Sequence, residues 1–373
     1  MDDVTRRDFL SFTGRGALAL TVIGARGLLA TGDPGALRPP DANGVRLPAG
    51  FTSRVIATTG KPVGSTGYVW HTAPDGGACF ALPNAGWSYV SNSEAVAGGA
   101  SFVRFRSDGA IVDAGRCLSN TIGNCAGGAT PWGTWLSCEE WPGGRVWECD
   151  PIGAKPAQAR PAMGAFTHEA ATVDVANHCV YLTEDRPDGA LYRFIPTTWG
   201  NLSAGALQVL TDRAGVLSWR VVPDPDGNRT PTRNQVAYTR RFNGGEGAAM
   251  SSGRLIFTTK GDNRVWKFNP ATMKLAVIYD DDVQVNGVLS GVDNVATRQN
   301  VIYVAEDGGN MQIVLVRESG ATFAVVELPG VTGSEMTGPA FDPSGARLYF
   351  SSQRNPGRTY EVKGPWSTFT PSP

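Results

Sequence analysis

From residue 165 onward the chain repeats one pattern four times. The segments "THEAATVDVANHCVYLTEDRPDGALYRFIP", "GGEGAAMSSGRLIFTTKGDNRVWKFNP", "GVDNVATRQNVIYVAEDGGNMQIVLVR" and "EMTGPAFDPSGARLYFSSQRNPGRTYEV" share an order of parts. An acid opens a short apolar strand, a turn follows, and a β-rich strand ends in polar or acidic residues. A second turn then leads to a third strand of aromatic and β-branched residues. With Glu169, Glu246, Asp293 and Glu335 as the opening acids, the intervals are 77, 47 and 42 residues. A period in the forties with several strands per unit is that of a β-propeller. The first interval is long because residues 197–241 read as an insertion with short strands of its own.

Earlier segments fit the same template. "GGACFALPNAGWSYVSNSE" supplies two strands ending at Glu94, and "GGASFVRFRSDGAIVDAG" supplies the outer pair. "GNCAGGATPWGTWLSCEE" and "GRVWECDP" supply the next unit. The count predicts an all-β, six-bladed β-propeller over residues 49–373, and 373 residues suffice for one such domain. A net charge of −1 with 18% charged residues leaves no broad basic face, which excludes a nucleic-acid partner. No Gly-x-Ser-x-Gly elbow, P-loop or dinucleotide fingerprint is present, so serine hydrolase, nucleotide hydrolase and dehydrogenase chemistry have no support.

In a propeller the inner strands border a central channel, so equivalent positions of successive blades converge on one axis. Glu94, Glu140, Glu169, Glu246, Asp293, Glu306 and Glu335 are therefore expected to share one funnel. So many carboxylates cannot all stay ionised without cations between them. Three histidines, His71, His168 and His178, are too few for a histidine-rich zinc centre. Carboxylates with a thiolate favour calcium or iron instead. The thiolate is expected from "SCEE", where Cys138, Glu139 and Glu140 close the strand over residues 132–137. His168, next to Glu169 on a strand, is expected to point away from the site and to pack. Arg186, Arg193, Arg264 and Arg354 follow the β-rich strands and read as surface ion pairs or, alternatively, phosphate ligands. Cys117 and Cys125 are close enough in sequence for a local bridge, while Cys79, Cys149 and Cys179 read as small buried apolar residues.

The N-terminus carries an address. Thr5-Arg6-Arg7-Asp8-Phe9-Leu10 is a twin-arginine sequence, followed by an apolar stretch over residues 17–30 that Arg26 interrupts. Residues 1–31 are expected to be an export signal and residues 32–48 a Gly- and Pro-rich linker. The product would be periplasmic or secreted, without stable membrane insertion after export.

With these residues laid out, the chain resembles the PhoX family of twin-arginine-exported alkaline phosphatases over residues 76–362. The motifs are "TPWGTWLSCEE", "FTHEAA", "YLTED" with "LYRF" behind it, "GGE", "VDNV" and "EMTGPAFDPSGARLYFSSQ". The resemblance implies a monomeric propeller whose channel holds ferric iron and calcium ions and acts on small phosphate esters. It puts the family's iron-binding cysteine on Cys138, cluster glutamates on Glu169 and Glu246, and an aspartate on Asp293. The family's Asn-His-Glu reads Asn92-Ser93-Glu94 here. The arginine that precedes the second glutamate by two residues reads Gly244, so Arg240 or Arg241 is expected to hold substrate. The expected enzyme is thus a metal-dependent phosphoesterase with Glu94, Cys138, Glu140, Glu169, Glu246, Asp293 and Glu335 as metal ligands and with Arg241 and Glu246 at the reaction. The alternatives are a calcium-dependent, lactonase-like hydrolase and a non-catalytic propeller stabilised by calcium.

Overall fold

The second strand of every repeat is apolar on both faces. Val90, Leu136, Tyr181, Ile256, Tyr303 and Tyr349 are buried on one face, and Tyr89, Trp135, Val180, Leu255, Ile302 and Leu348 on the other. Such a strand must lie inside a sheet sandwiched between two other sheets. Each large side chain so buried contributes about 1.5–3 kcal/mol. A computed structural model of the chain describes residues 32–284 and 287–369 and shows that arrangement. The expected export signal lies outside the described residues. No helix among the described residues is long and apolar enough to cross a membrane.

Six antiparallel sheets are present among the described residues, five of them with strands in sequential order from the centre outward. Their inner strands are Pro74–Ala81, Asn124–Ala129, His168–Asp174, Gly245–Ser251, Val292–Arg298 and Met336–Phe341. Each inner strand packs against the inner strands of the two neighbouring blades, which closes the circle. Thr52–Thr58 fastens it by hydrogen bonds: it pairs with Arg358–Lys363 as the outer strand of the sixth blade. The six-bladed β-propeller read from the repeat is the fold.

Two expectations change. The insertion over residues 197–241 is only partly an excursion. Asn201–Arg213 is the fourth strand of the third blade, and Val216–Val221 adds a fifth. The stretch expected to be a linker is attached rather than free: Val45 and Leu47 are buried in the core shared by the fifth and sixth blades, and Arg46 pairs with Glu327 at 2.8 Å.

Candidate metal centre

One irregularity recurs six times and builds the centre. In each inner strand the pairing slips by one residue, for example from His168↔Glu184 to Ala171↔Leu182 and from Val292↔Glu306 to Val295↔Val304. The same slip occurs in the other four inner strands. A β-bulge turns the extra residue out of the ladder and re-aims its side chain. At the equivalent place the six blades carry Asp75, Cys125, Glu169, Glu246, Asp293 and Thr337, all buried or nearly so. The next residue is small in five blades because the neighbouring strand lies against it. A Cβ on Gly76 would stand 2.5 Å from the Ala126 Cα, and one on Gly247 would stand 2.4 Å from the Val295 nitrogen. The sixth is Asn294, whose Oδ1 accepts from the Gly338 N–H at 2.7 Å and whose Nδ2 donates to Asp293 at 3.0 Å.

Neighbouring blades fix these bulges. Asn92 Nδ2 donates to the Cys125 and Ala126 carbonyls at 3.0 and 2.8 Å. Thr183 Oγ1 donates to the Glu246 carbonyl at 2.6 Å, and Thr258 Oγ1 to the Asp293 carbonyl at 2.5 Å. The ring side chains are thus aimed by backbone held from outside, a preorganised arrangement.

A second ring stands above the first. The residue after each second strand donates its N–H to the carbonyl two residues before the bulge position, as in Glu140 to Gly123 and Lys260 to Gly244. These residues are Glu94, Glu140, Asp185, Lys260, Asp307 and Gln353. Their predecessors behave differently. Glu139 accepts from the Ile122 and Arg145 N–H groups and from Trp147 Nε1, and Glu306 from the Ser290 and Gln312 N–H groups. Glu306 therefore pins its own turn and does not face the funnel.

Three groups of ligand atoms lie within 4.8 Å of one another: Cys125, Glu140 and Glu169; Asp75, Glu94 and Glu335; Glu169, Glu246 and Asp293. Six of the seven expected ligands, Glu94, Glu140, Glu169, Glu246, Asp293 and Glu335, are thus brought together. Cys138 is not. It lies in the second strand of its blade, on the face that packs with Leu136, Val146, Met163 and Phe166 against the third blade. Burial first, and Glu139 second, push its thiol upward in pKa. The thiol at the axis is Cys125, on the inner strand of the same blade. It is unpaired, as are the other five, so the local bridge to Cys117 is not formed.

Arg241 also lies elsewhere. It is exposed, and its guanidinium donates to the Asp188 carbonyl and to Asn234 Oδ1, each at 2.9 Å. The cations at the centre are Lys260, 2.9 Å from Glu246, and Arg354, 2.8 Å from Glu335 and 3.1 Å from Glu94. Glu335 also arrives differently from the other acids. It stands two residues before the bulge position, which Thr337 occupies in its blade. His168 packs on Phe166 with ring centroids 3.6 Å apart, as expected of a packing residue.

The electrostatics state what the centre lacks. No lysine or arginine pairs with Glu140 or Glu169 among the described residues, and Glu169 Oε2 is buried without a hydrogen-bond partner. Burial above all, then Glu246 and Glu140, raises the Glu169 pKa well above the carboxylate range. The same order of causes, burial before neighbouring acids, raises Asp75 and Asp293 and brings Glu140 to about 10. Burial raises Glu246 to about 8, and Lys260 works against that rise. Buried charge of one sign calls for bound cations, and these oxygen donors with one thiol suit them.

Fold and site together define a six-bladed β-propeller with buried carboxylates from separate blades gathered at its axis. Residues 91–253 match the family described as Alkaline phosphatase PhoX. Pseudomonas fluorescens PhoX in complex with vanadate, described as a transition state analogue, superposes with a TM-score of 0.74. The two are 15% identical, and the match covers 90% of this chain and 98% of that one. A structural genomics protein of unknown function from Bacteroides thetaiotaomicron follows at a TM-score of 0.55 and 9% identity, covering 84% of this chain and 76% of that one. No curated protein sequence matches. The resemblance read from the motifs is met by that family model over residues 91–253, and the fold is that of the PhoX propeller.

Proposed function

We propose that the chain hydrolyses phosphate monoesters at a centre of iron and calcium ions held by its axial carboxylates and one thiolate. The observation that carries this reading is the set of buried acids from separate blades, with no lysine or arginine paired to Glu140 or Glu169 among the described residues. Cys125 with Glu140 and Glu169 would hold iron, because a soft sulfur donor favours a transition metal. Asp75, Glu94 and Glu335, all oxygen donors, would hold calcium. Glu246 and Asp293 complete the ligand set around Glu169. When bound, such ions draw the phosphate dianion and stabilise the charge of its displacement.

The chain's own residues supply the rest. Gln353 Nε2 donates to Glu94 Oε2 at 2.7 Å and also to Asp75 Oδ2, which sets the two carboxylates in one orientation. Arg354 and Lys260 put N–H groups at the mouth, where an ester oxygen would arrive. Residues 5–10 are read as a twin-arginine export signal, a route that suits a protein loaded with metal before it leaves the cytoplasm.

The purified protein is expected to contain iron and calcium, to turn over p-nitrophenyl phosphate, and to lose that turnover to a chelator. Calcium without iron, together with lactone hydrolysis and no phosphatase activity, would refute the proposal. The two cysteines divide within the same assay. Cys125→Ala is expected to lose iron and at least ~10-fold in kcat/KM, the lower end of what disturbing a metal site costs. Cys138→Ala is expected to keep metal and turnover and to lose about 1 kcal/mol of stability for one buried atom removed from a packed core. The reverse pattern would return the thiolate role to Cys138.

A further inference from the structure

The second ring contains one residue of the wrong sign. Where four blades place Glu94, Glu140, Asp185 and Asp307, the fourth blade places Lys260. Its Nζ lies 2.9 Å from Glu246 Oε1 of the same blade, 3.4 Å from Asp185 Oδ2 of the third blade and 3.9 Å from Asp307 Oδ2 of the fifth. Three carboxylates from three blades thus meet one ammonium. The lysine side chain is 40% exposed, but the carboxylate it meets is buried: Glu246 is only 1% exposed. Exposed pairs contribute little, whereas a buried carboxylate left without its partner costs several kcal/mol. Gly244, at φ +71°, lies beside Asp185 and the start of the lysine side chain. A Cβ there would stand 3.1 Å from Asp185 Oδ1 and 3.6 Å from Lys260 Cβ. Of the three ligand groups, the one of Glu169, Glu246 and Asp293 touches Lys260 through Glu246; Arg354 pairs with Glu94 and Glu335 of the second, and no lysine or arginine pairs with Glu140 among the described residues.

We propose that Lys260 is a resident cation of the centre: its ammonium fills a place between Glu246, Asp185 and Asp307 that would otherwise take a divalent ion, so this chain binds one ion fewer than its carboxylates would hold. The inference rests on the metal-binding reading above. An ammonium can do this because three N–H donors on a compact charge can satisfy several oxygens at once. It differs from a metal ion in being permanently attached, so that side of the centre stays charged when calcium is scarce.

The test counts ions. Wild type, Lys260→Met and Lys260→Arg are stripped with chelator, dialysed against calcium alone and analysed for bound calcium per chain. Lys260→Met is expected to gain one equivalent, and Lys260→Arg to match wild type. An unchanged or lower count in Lys260→Met, with the β-sheet circular dichroism retained, overturns the inference and leaves the metal reading intact. Wild type that binds no calcium overturns both. Should Lys260→Met fail to fold, wild-type protein decides. Acetylation of Lys260 by an amine-reactive ester, followed by mass spectrometry, is expected to proceed at the same rate with and without saturating calcium. A severalfold rise on calcium saturation would mean that the ion displaces the ammonium, and would overturn the inference.

Discussion

Exchanging Glu169 for glutamine is expected to lower phosphatase kcat/KM by at least ~100-fold while the propeller stays folded. The magnitude follows from position. Glu169 belongs to two of the three ligand groups, with Cys125 and Glu140 on one side and Glu246 and Asp293 on the other. Disturbing a residue that merely supports a metal ligand costs 10- to 100-fold, and removing a shared ligand costs more. Glutamine keeps the shape and leaves Oε1 able to accept from Asn294 Nδ2, 3.4 Å away in the native protein. The change is therefore one of charge. Its signature is a crossing of stabilities. Without metal, Glu169→Gln should melt above wild type, because a buried carboxylate with no cation beside it and with Oε2 unpartnered has been removed. With calcium and iron supplied, it should melt below wild type, because ions that bind only the native state stabilise it in proportion to their affinity. Kinetics on p-nitrophenyl phosphate, metal analysis and paired melts with and without chelator read all three. A variant with full metal content and full activity would remove Glu169 from the centre. Glu139→Gln is the control: its carboxylate accepts from a turn and from Trp147, so stability should fall and kcat should not.

The fold was legible because a propeller repeats its physics. Second strands buried on both faces read as continuous apolar runs, and the acids that follow them recur at a fixed place, so "YLTED", "YVAED" and "LSCEE" align without a structure. The same alignment contains the second ring whole. "FTTKG" and "FSSQR" put Lys260 and Gln353 where the other repeats have acids, and reading them as members of the ring would have shown the one cation among them. What the alignment could not give is which of two adjacent acids faces the axis. Glu139 and Glu140 are equally acidic, and only the end of the strand, where alternation stops, decides that the first turns back to the backbone and the second goes inward. The bulge also hides the register of the inner strands. It adds one residue to each inner strand, so a register counted from a regular strand slips, and Glu335 takes the place that belongs to Thr337. The resemblance and the two adjoining acids both point to Cys138, but neighbours along a strand point to opposite faces. Cys125 stands between Asn124 and the small residues Ala126, Gly127 and Gly128, an inner strand thin enough to meet its neighbours, and that thinness was the available signal. Arg241 was chosen for its nearness in sequence to Glu246, and its own small strand pairs instead with Gly189 and Ala190 on the rim.

Stripped of metal, the protein is expected to lose stability as the pH rises from about 5 to 9, and to regain it when calcium is added. The sign follows from the carboxyl groups. Burial, ahead of every other cause, raises Glu335 from its ordinary 4.5 to about 7, Glu246 to about 8 and Glu140 to about 10. Asp75, Glu169 and Asp293 move the same way. Between the ordinary value and the raised one, the native state holds protons that the unfolded chain has released. Stability then falls with pH, at about 1.4 kcal/mol per pH unit for each such proton. The loss begins near pH 4.5 and ends for each group as the pH passes its native value, near 7 for Glu335, 8 for Glu246 and 10 for Glu140. Lys260 does not offset it: Glu246 and Asp185 overcome its burial and raise its pKa, so its contribution is constant until the pH passes the ordinary lysine value. Cations take the place of those protons, so the loaded protein should show a flat or rising melting temperature over the same window. Calcium binding should accordingly release protons, which titration calorimetry in buffers of different ionisation enthalpy measures directly. Melting curves with and without calcium that run parallel from pH 5 to 9, or binding that releases no protons, would mean that these acids are already balanced from within the chain.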